Sequence, residues 1–111
     1  MKKVYARPSG IFEGAVTGFC PGCMHSSVSK LICEVLDELK AVDNACYVQG
    51  VGCCGLAITY FDFDTISSPH GRACAVASAL KRCSPETLVF TYQGDGDLAA
   101  IGLAETMSAA N

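Results

Sequence analysis

The sequence has no long hydrophobic run, no basic cluster and no export signal. None of its 111 residues belong to a stretch near the roughly 18 uninterrupted apolar residues that a membrane-spanning helix needs. Residues 1–7 lack the apolar segment of a signal peptide. The net charge is −3, and the Lys and Arg residues are scattered. We therefore expect a cytoplasmic protein that binds neither membrane nor nucleic acid.

Apolar residues make up 50% of the chain, which is enough for a modest hydrophobic core. No repeat or low-complexity linker divides the sequence. A chain of this length forms one domain or a piece of one.

Cysteine is abundant, with 8 residues in the chain. A small secreted disulfide scaffold would need an export signal, so these cysteines indicate metal or cluster ligands, or small core side chains. Four of them lie within predicted helices or strands and are expected to pack in the core: Cys33, Cys46, Cys74 and Cys83.

Helices and strands alternate along the predicted structure. Apolar residues at three- and four-residue spacing predict an amphipathic helix over 28–40, and small residues without interior proline or glycine predict another over 71–83. Short apolar runs predict strands at 45–51 and 88–92. The first strand ends in a glycine-rich bend, and the second leads through a glycine turn into a helix-like segment. This order predicts an α/β fold with a mostly parallel sheet, packing helices, and ligands at the carboxyl ends of the strands.

The segment Gln93-Gly94-Asp95-Gly96-Asp97 lies where a predicted strand meets a predicted helix. A carboxylate between two glycines at this position can hold a divalent metal beside a phosphate, because the helix N-terminus favours negative charge. The alternative is a purely structural role, in which Asp95 or Asp97 caps the helix. Capping alone does not require flanking glycines, so the pattern favours a ligand that approaches the backbone.

Cys20-Pro21-Gly22-Cys23 is a second candidate site. Two thiolates in a tight turn can bind one metal ion or part of an iron–sulfur cluster. A redox dithiol, a disulfide and a chance pair remain alternatives. Cys53 and Cys54 lie in a glycine-flanked turn, Gly52-Cys53-Cys54-Gly55, which could supply a third thiolate.

Four motifs in this order resemble the β subunit of 2-oxoacid:ferredoxin oxidoreductases, and the last is similar to the 2-oxoisovalerate branch. The resemblance covers residues 19–111. The motifs are Phe19-Cys20-Pro21-Gly22-Cys23, Gly50-Val51-Gly52-Cys53, His70-Gly71-Arg72-Ala73, and residues 90–102 around Gly94-Asp95-Gly96-Asp97.

The resemblance implies part of a thiamine diphosphate-binding fold, with residues 1–111 as the N-terminal part of the diphosphate-side domain and an iron–sulfur arm near 19–25. It implies oxidative decarboxylation of a 2-oxoacid to an acyl-CoA, with coenzyme A as co-substrate, ferredoxin as acceptor, and other subunits of α and γ or δ type. The implied cofactors are thiamine diphosphate, Mg²⁺ and a 4Fe-4S cluster.

By the same resemblance, each site residue has an implied role. Three cysteines would bind the cluster, Asp95 would bind Mg²⁺, and the remaining residues would contact thiamine diphosphate. The cluster ligands are Cys20, Cys23 and Cys53; the cofactor contacts are Gly52, Cys53, Cys54, His70, Gly71, Gly96 and Asp97.

The chain departs from this family pattern in two ways. Cys54 occupies a position where serine is common, so it could be mistaken for the ligand Cys53. The family's asparagine-rich magnesium segment and fourth cluster cysteine lie beyond Asn111, so we expect a C-terminally truncated chain that is inactive alone. The alternative function is a non-catalytic module that binds zinc or an iron–sulfur cluster.

Overall fold

The computed structural model describes residues 5–111, so the first four residues of the predicted domain 1–111 lie outside the described part. Two short 3₁₀ helices accompany the main elements, at Val42–Asn44 and Cys53–Thr59. The main elements are α1 (Met24–Glu38), β1 (Ala45–Gln49), β2 (Asp64–Ser67), α2 (Ala73–Cys83), β3 (Leu88–Tyr92), a π-helical turn (Gly96–Ile101) and α3 (Leu103–Ala110).

The three strands form one parallel sheet in the order β2-β1-β3. In the central strand, Tyr47 pairs with Thr65 of β2 and with Phe90 of β3. Parallel strands bring their carboxyl ends to one edge of a sheet. The predicted α/β class with a mostly parallel sheet is confirmed, and the loops that follow the strands lie side by side.

Tyr47 is a central side chain of the core and is fully buried. Its ring meets Phe61 edge-on at 5.4 Å and stacks on Phe90 at 5.6 Å between ring centroids. Its hydroxyl lies 3.2 Å from the carbonyl oxygens of Cys54 and Tyr92. The same residue therefore anchors the core and holds two backbone segments at the carboxyl edge of the sheet.

The predicted helices and strands are largely present. The first helix begins at Met24, earlier than the predicted residue 28, and the second occupies Ala73–Cys83 within the predicted 71–83. The strand prediction for 88–92 is confirmed without change. Lys40, with φ of 52°, follows the first helix in the left-handed conformation, which stops the helical backbone.

Strand β2 was not apparent from the sequence because it is short and mostly exposed, so it lacks the alternation that marks a half-buried strand. Residues 5–19 form no helix or extended strand, but they are anchored to the core. Ile11 is 5% exposed and forms an antiparallel bridge with Phe61.

The cysteines differ in burial. Cys33 and Cys46 are buried as predicted, and Cys74 is half-buried with its thiol 3.3 Å from Gln93 Oε1. The core-packing prediction is wrong for Cys83, which is exposed because it is the last residue of α2 and no described residue covers it. Burial raises the pKa of Cys33 to about 12, and its thiol donates to the Gly10 carbonyl.

None of the helices formed by residues 5–111 is long and apolar enough to cross a membrane.

Candidate functional site

A cavity of about 310 Å³ lies at the carboxyl edge of the sheet. It brings together loops that are far apart in sequence, each following a different strand, and the start of α1. Its lining residues are His25, Val51, Gly52, Cys53, Cys54, His70, Gly94, Asp95, Gly96 and Asp97. Seven of the ten predicted site residues therefore surround one space, and an eighth, Gly71, adjoins it through Asp97.

Asp97 organises this edge of the sheet. Its carboxylate is 2% exposed and accepts hydrogen bonds from the Gly71 N–H at 2.6 Å, from Gln93 Nε2 at 2.6 Å and from His70 Nδ1 at 2.5 Å. Burial raises the pKa of Asp97, but these hydrogen bonds outweigh burial and leave the pKa below its usual value. The carboxylate is thus ionised and engaged by its neighbours, so Asp97 positions loops around the cavity.

Gly50 is required by the position of Asp97. A Cβ atom at residue 50 would lie 2.1 Å from Asp97 Oδ2 and 2.9 Å from Gln93 Cγ. Any side chain there would push the carboxylate out of its hydrogen-bonding position.

Asp95 has a different environment from Asp97. It is exposed, and although it is the residue before the π-helical turn, its side chain makes no capping hydrogen bond. The helix-cap alternative is therefore not observed for Asp95. Its carboxylate has no partner among the residues that the structure describes, so it can bind a cation in the cavity that it lines.

The two glycines beside Asp95 have no structural cause within the described chain. A Cβ atom at Gly94 or Gly96 would meet nothing within 4 Å, and neither residue has a positive φ. The backbone at Gly94 and Gly96 therefore faces open space, which we call the glycine cradle. A methyl group added at either residue would occupy part of this space. The residues present fit a phosphate group close to the backbone, with a cation on Asp95.

The helix that follows is π-helical over Gly96–Ile101, where the sequence predicted an ordinary helix. The Gly102 N–H donates to the Asp97 carbonyl at 3.0 Å, five residues back. A Cβ atom at Gly102 would lie 2.6 Å from the Gly71 carbonyl oxygen. The wider turn accompanies this close glycine–glycine approach, and such turns are frequent at functional sites.

Three consecutive residues after β1 also line the cavity: Gly52, Cys53 and Cys54. Gly52 has φ of 137°, a conformation that favours glycine. Cys53 is exposed, whereas Cys54 is 1% exposed. Burial raises the pKa of Cys54, although backbone N–H groups of Gly94 and Gly55 partly oppose the shift. Cys53 is therefore the accessible thiol of the pair.

Cys20-Pro21-Gly22-Cys23 forms a type II turn. The Cys23 N–H donates to the Cys20 carbonyl at 3.0 Å, and Gly22 has φ of 77°. Proline and glycine at the two central positions are the residues that this turn prefers. Neither cysteine lines the cavity, and within residues 5–111 no three His, Cys, Asp or Glu side chains gather as a metal site. Thiolate ligands often converge only when the metal is bound.

Sequence reasoning missed His25, Tyr92 and Gln93. His25 lines the cavity, and its Nδ1 is hydrogen-bonded to the Tyr92 hydroxyl. Gln93 donates to Asp97. The only available signals were that His25 lies two residues after Cys23 and that Gln93 adjoins the glycine turn.

No family model matches the chain. It is similar to the ketoisovalerate oxidoreductase subunit VorA of Methanothermobacter thermautotrophicus, with 42% identity over 99% of this chain and 25% of that protein. It is also similar to the 2-oxoglutarate synthase subunit KorB of Archaeoglobus fulgidus, with 37% identity over 78% of this chain and 32% of that protein.

A solved structure also matches. It is the 2-oxoglutarate:ferredoxin oxidoreductase of Magnetococcus marinus, determined with 2-oxoglutarate, coenzyme A and succinyl-CoA bound. The TM-score is 0.80 at 28% identity, over 93% of this chain and 36% of that chain. The chain thus spans between 25% and 36% of the length of these three proteins.

Proposed function

This chain is a homologue of 2-oxoacid:ferredoxin oxidoreductase subunits, and we propose that it forms the diphosphate-side part of a thiamine diphosphate site in such an enzyme. Residues 1–111 would be the N-terminal part of that domain, with an iron–sulfur arm near 19–25. The relatives are themselves named as subunits, so further chains or segments complete the enzyme.

One observation carries the proposal. Gly94 and Gly96 leave an open cradle on both sides of the exposed Asp95 carboxylate, at the carboxyl end of β3. Nothing in the described chain requires glycine at either position. A diphosphate lying against this backbone, with its charge shared by a magnesium ion on Asp95, accounts for all three residues.

When bound, thiamine diphosphate supplies the electron sink for decarboxylation of a 2-oxoacid. The residues of this chain bind and orient. Asp95 would hold Mg²⁺. The residues that would surround the diphosphate are Gly52, Cys53, Cys54, His70 and Gly96. Gly71 and Asp97 would act indirectly, by positioning other residues. The Asp97 carboxylate fixes the His70 ring and the Gly71 backbone.

For electron transfer, we propose that Cys20, Cys23 and Cys53 bind a 4Fe-4S cluster. Support comes from the tight turn that presents Cys20 and Cys23 and from the exposed thiol of Cys53. A fourth ligand would come from outside this chain. The acceptor would be ferredoxin.

The substrate would be a 2-oxoacid, converted with coenzyme A to an acyl-CoA in the cytoplasm. Similarity to a ketoisovalerate oxidoreductase subunit at 42% identity favours a branched 2-oxoacid. The side chain of the substrate is selected by groups that other parts of the enzyme supply.

The test is cofactor binding by the assembled oxidoreductase that contains this chain. Calorimetric titration of the cofactor-free assembly should show stoichiometric thiamine diphosphate binding that requires Mg²⁺. Asp95→Asn should remove the magnesium dependence and weaken binding, whereas Asp62→Asn, another exposed carboxylate outside the cavity, should not. No binding by the wild-type assembly, together with tight zinc uptake and no iron uptake, would instead support a zinc module.

A further inference from the structure

His25 is held rigidly at the edge of the cavity. Its ring stacks on Phe19, with 5.1 Å between centroids and an interplanar angle of 25°, and it meets the Tyr92 ring edge-on at 5.5 Å. Its Nδ1 is hydrogen-bonded to the Tyr92 hydroxyl. An aromatic partner on the ring face and a bonded Nδ1 leave Nε2 as the free polar atom among the described contacts.

The chain has 2 histidines, and both line this one cavity. The Nδ1 of His70 is also hydrogen-bonded, but as a donor to the Asp97 carboxylate. Each imidazole therefore has one nitrogen fixed by a neighbour and one nitrogen left for a ligand. The two residues lie 45 positions apart in sequence and reach the cavity from α1 and from the loop after β2.

Among residues 5–111, no other cationic or nitrogen-donor side chain lines the cavity. Neither lysine nor arginine is among its lining residues, and its two acidic groups are Asp95 and Asp97. An anionic ligand in this space would depend on backbone N–H groups, on a cation bound to Asp95, and on the free imidazole N–H of His25. His25 then has a function that the packing of the chain does not otherwise explain.

The hydrogen bond to Tyr92 can set which nitrogen of His25 carries the proton. Burial, and then the nearby thiols of Cys54 and Cys23, raise the pKa of Tyr92, so the phenol remains protonated near neutral pH. A protonated phenol can donate to Nδ1, and the neutral imidazole then carries its hydrogen on Nε2.

Resting on the proposed function, we propose that His25 is a diphosphate-binding residue whose Nε2–H, oriented by Tyr92, donates to a phosphate oxygen in the cavity that His70 also lines. Tyr92 is a positioning residue in this arrangement. His25 also joins the cysteine turn to the cofactor loop, because it follows Cys23 by two residues and bonds the strand that leads into Gly94.

The experiment distinguishes the contributions of the two His25 nitrogens to ligand binding. An asparagine amide reaches the Nδ1 position and preserves the bond to Tyr92, whereas a glutamine amide reaches the Nε2 position. The cofactor-free assembled oxidoreductase carrying His25→Asn, His25→Gln or the control Ser27→Ala is titrated with Mg²⁺ and thiamine diphosphate, and separately with Mg²⁺ and inorganic diphosphate. Ser27 is an exposed residue of the same helix and does not line the cavity.

We expect His25→Asn to weaken binding of both ligands about tenfold, the loss of one hydrogen bond to a charged group, and His25→Gln to stay within about threefold of wild type. Ser27→Ala should match wild type. Wild-type affinity in His25→Asn would overturn the inference and leave the proposed function intact. Absence of thiamine diphosphate binding in the wild-type assembly would overturn the proposed function instead.

Tyr92→Phe decides the question if His25→Asn does not fold. This change removes the hydroxyl and keeps the ring that packs on His25. We expect about threefold weaker binding of inorganic diphosphate, because the imidazole loses its fixed tautomer. Unchanged affinity in Tyr92→Phe would contradict the inference.

Discussion

The backbone N–H of Gly71 donates to the Asp97 carboxylate at 2.6 Å, which ties the loop after β2 to the helix after β3. The same carboxylate holds His70 and Gln93. A single buried charge therefore connects segments that the sheet alone would leave independent at its carboxyl edge.

Asp97→Asn should destabilise the chain by about 2 kcal/mol at neutral pH, because an amide cannot replace a carboxylate that accepts three hydrogen bonds. The pKa of Asp97 is lower in the folded chain than in the unfolded chain. Its stabilisation is therefore fully present above the unfolded value of about 3.9 and is lost as the pH falls through the folded value.

Denaturant unfolding of wild type and Asp97→Asn at a series of pH values checks this prediction. The difference in unfolding free energy should be constant near neutrality and should shrink under acid conditions. A difference that grows with acidification would contradict the role given to Asp97.

Gly50→Ala should destabilise the folded chain, whereas Gly94→Ala should not. The new methyl group at residue 50 would lie 2.1 Å from Asp97 Oδ2, so we expect a loss of about 1–3 kcal/mol from overpacking. At residue 94 the methyl group meets nothing within 4 Å, so stability should be unchanged. Thermal unfolding of the two variants measures this contrast.

The same pair separates folding from ligand binding. Gly94→Ala should weaken thiamine diphosphate binding in the assembled enzyme, because the methyl group occupies the cradle beside Asp95. Gly94→Ala with wild-type affinity would show that the open space at this turn is not used by the cofactor.

The sequence predicts the framework better than the connections within it. Strand β3 and the glycine turn after it follow from local composition, and so does the parallel sheet. The role of Asp97 does not, because its partner Gly71 is 26 residues away. The pairing of His25 with Tyr92 spans 67 residues. Such contacts depend on how the loops meet in three dimensions, which hydrophobic periodicity does not encode.

The isolated chain should self-associate. An apolar groove between α1 and the edge strand β3 is lined by Ile32, Val35, Leu36, Leu39, Leu88 and Phe90. Leu39 is 63% exposed and Val35 is 50% exposed. Uncovered apolar surface beside an unpaired strand promotes association.

Sedimentation velocity of the 111-residue chain tests this prediction. Leu39→Lys should shift the distribution toward monomer, whereas Ile58→Lys, at an exposed site outside the groove, should not. A wild-type chain that is monomeric at high concentration would contradict it.

Cys53 and Cys54 are adjacent but should behave differently. Cys53 is exposed, whereas Cys54 is buried and its pKa is raised, so alkylation of the native chain should modify Cys53 and spare Cys54. Peptide mass spectrometry after a brief treatment with iodoacetamide measures this, with buried Cys33 as the internal unreactive reference.

Cys53→Ser should then abolish iron–sulfur reconstitution of the assembled enzyme, and Cys54→Ser should retain it. Retention of the cluster in Cys53→Ser, with loss in Cys54→Ser, would assign the ligand to the buried thiol and would require the loop after Gly52 to rearrange when the cluster binds.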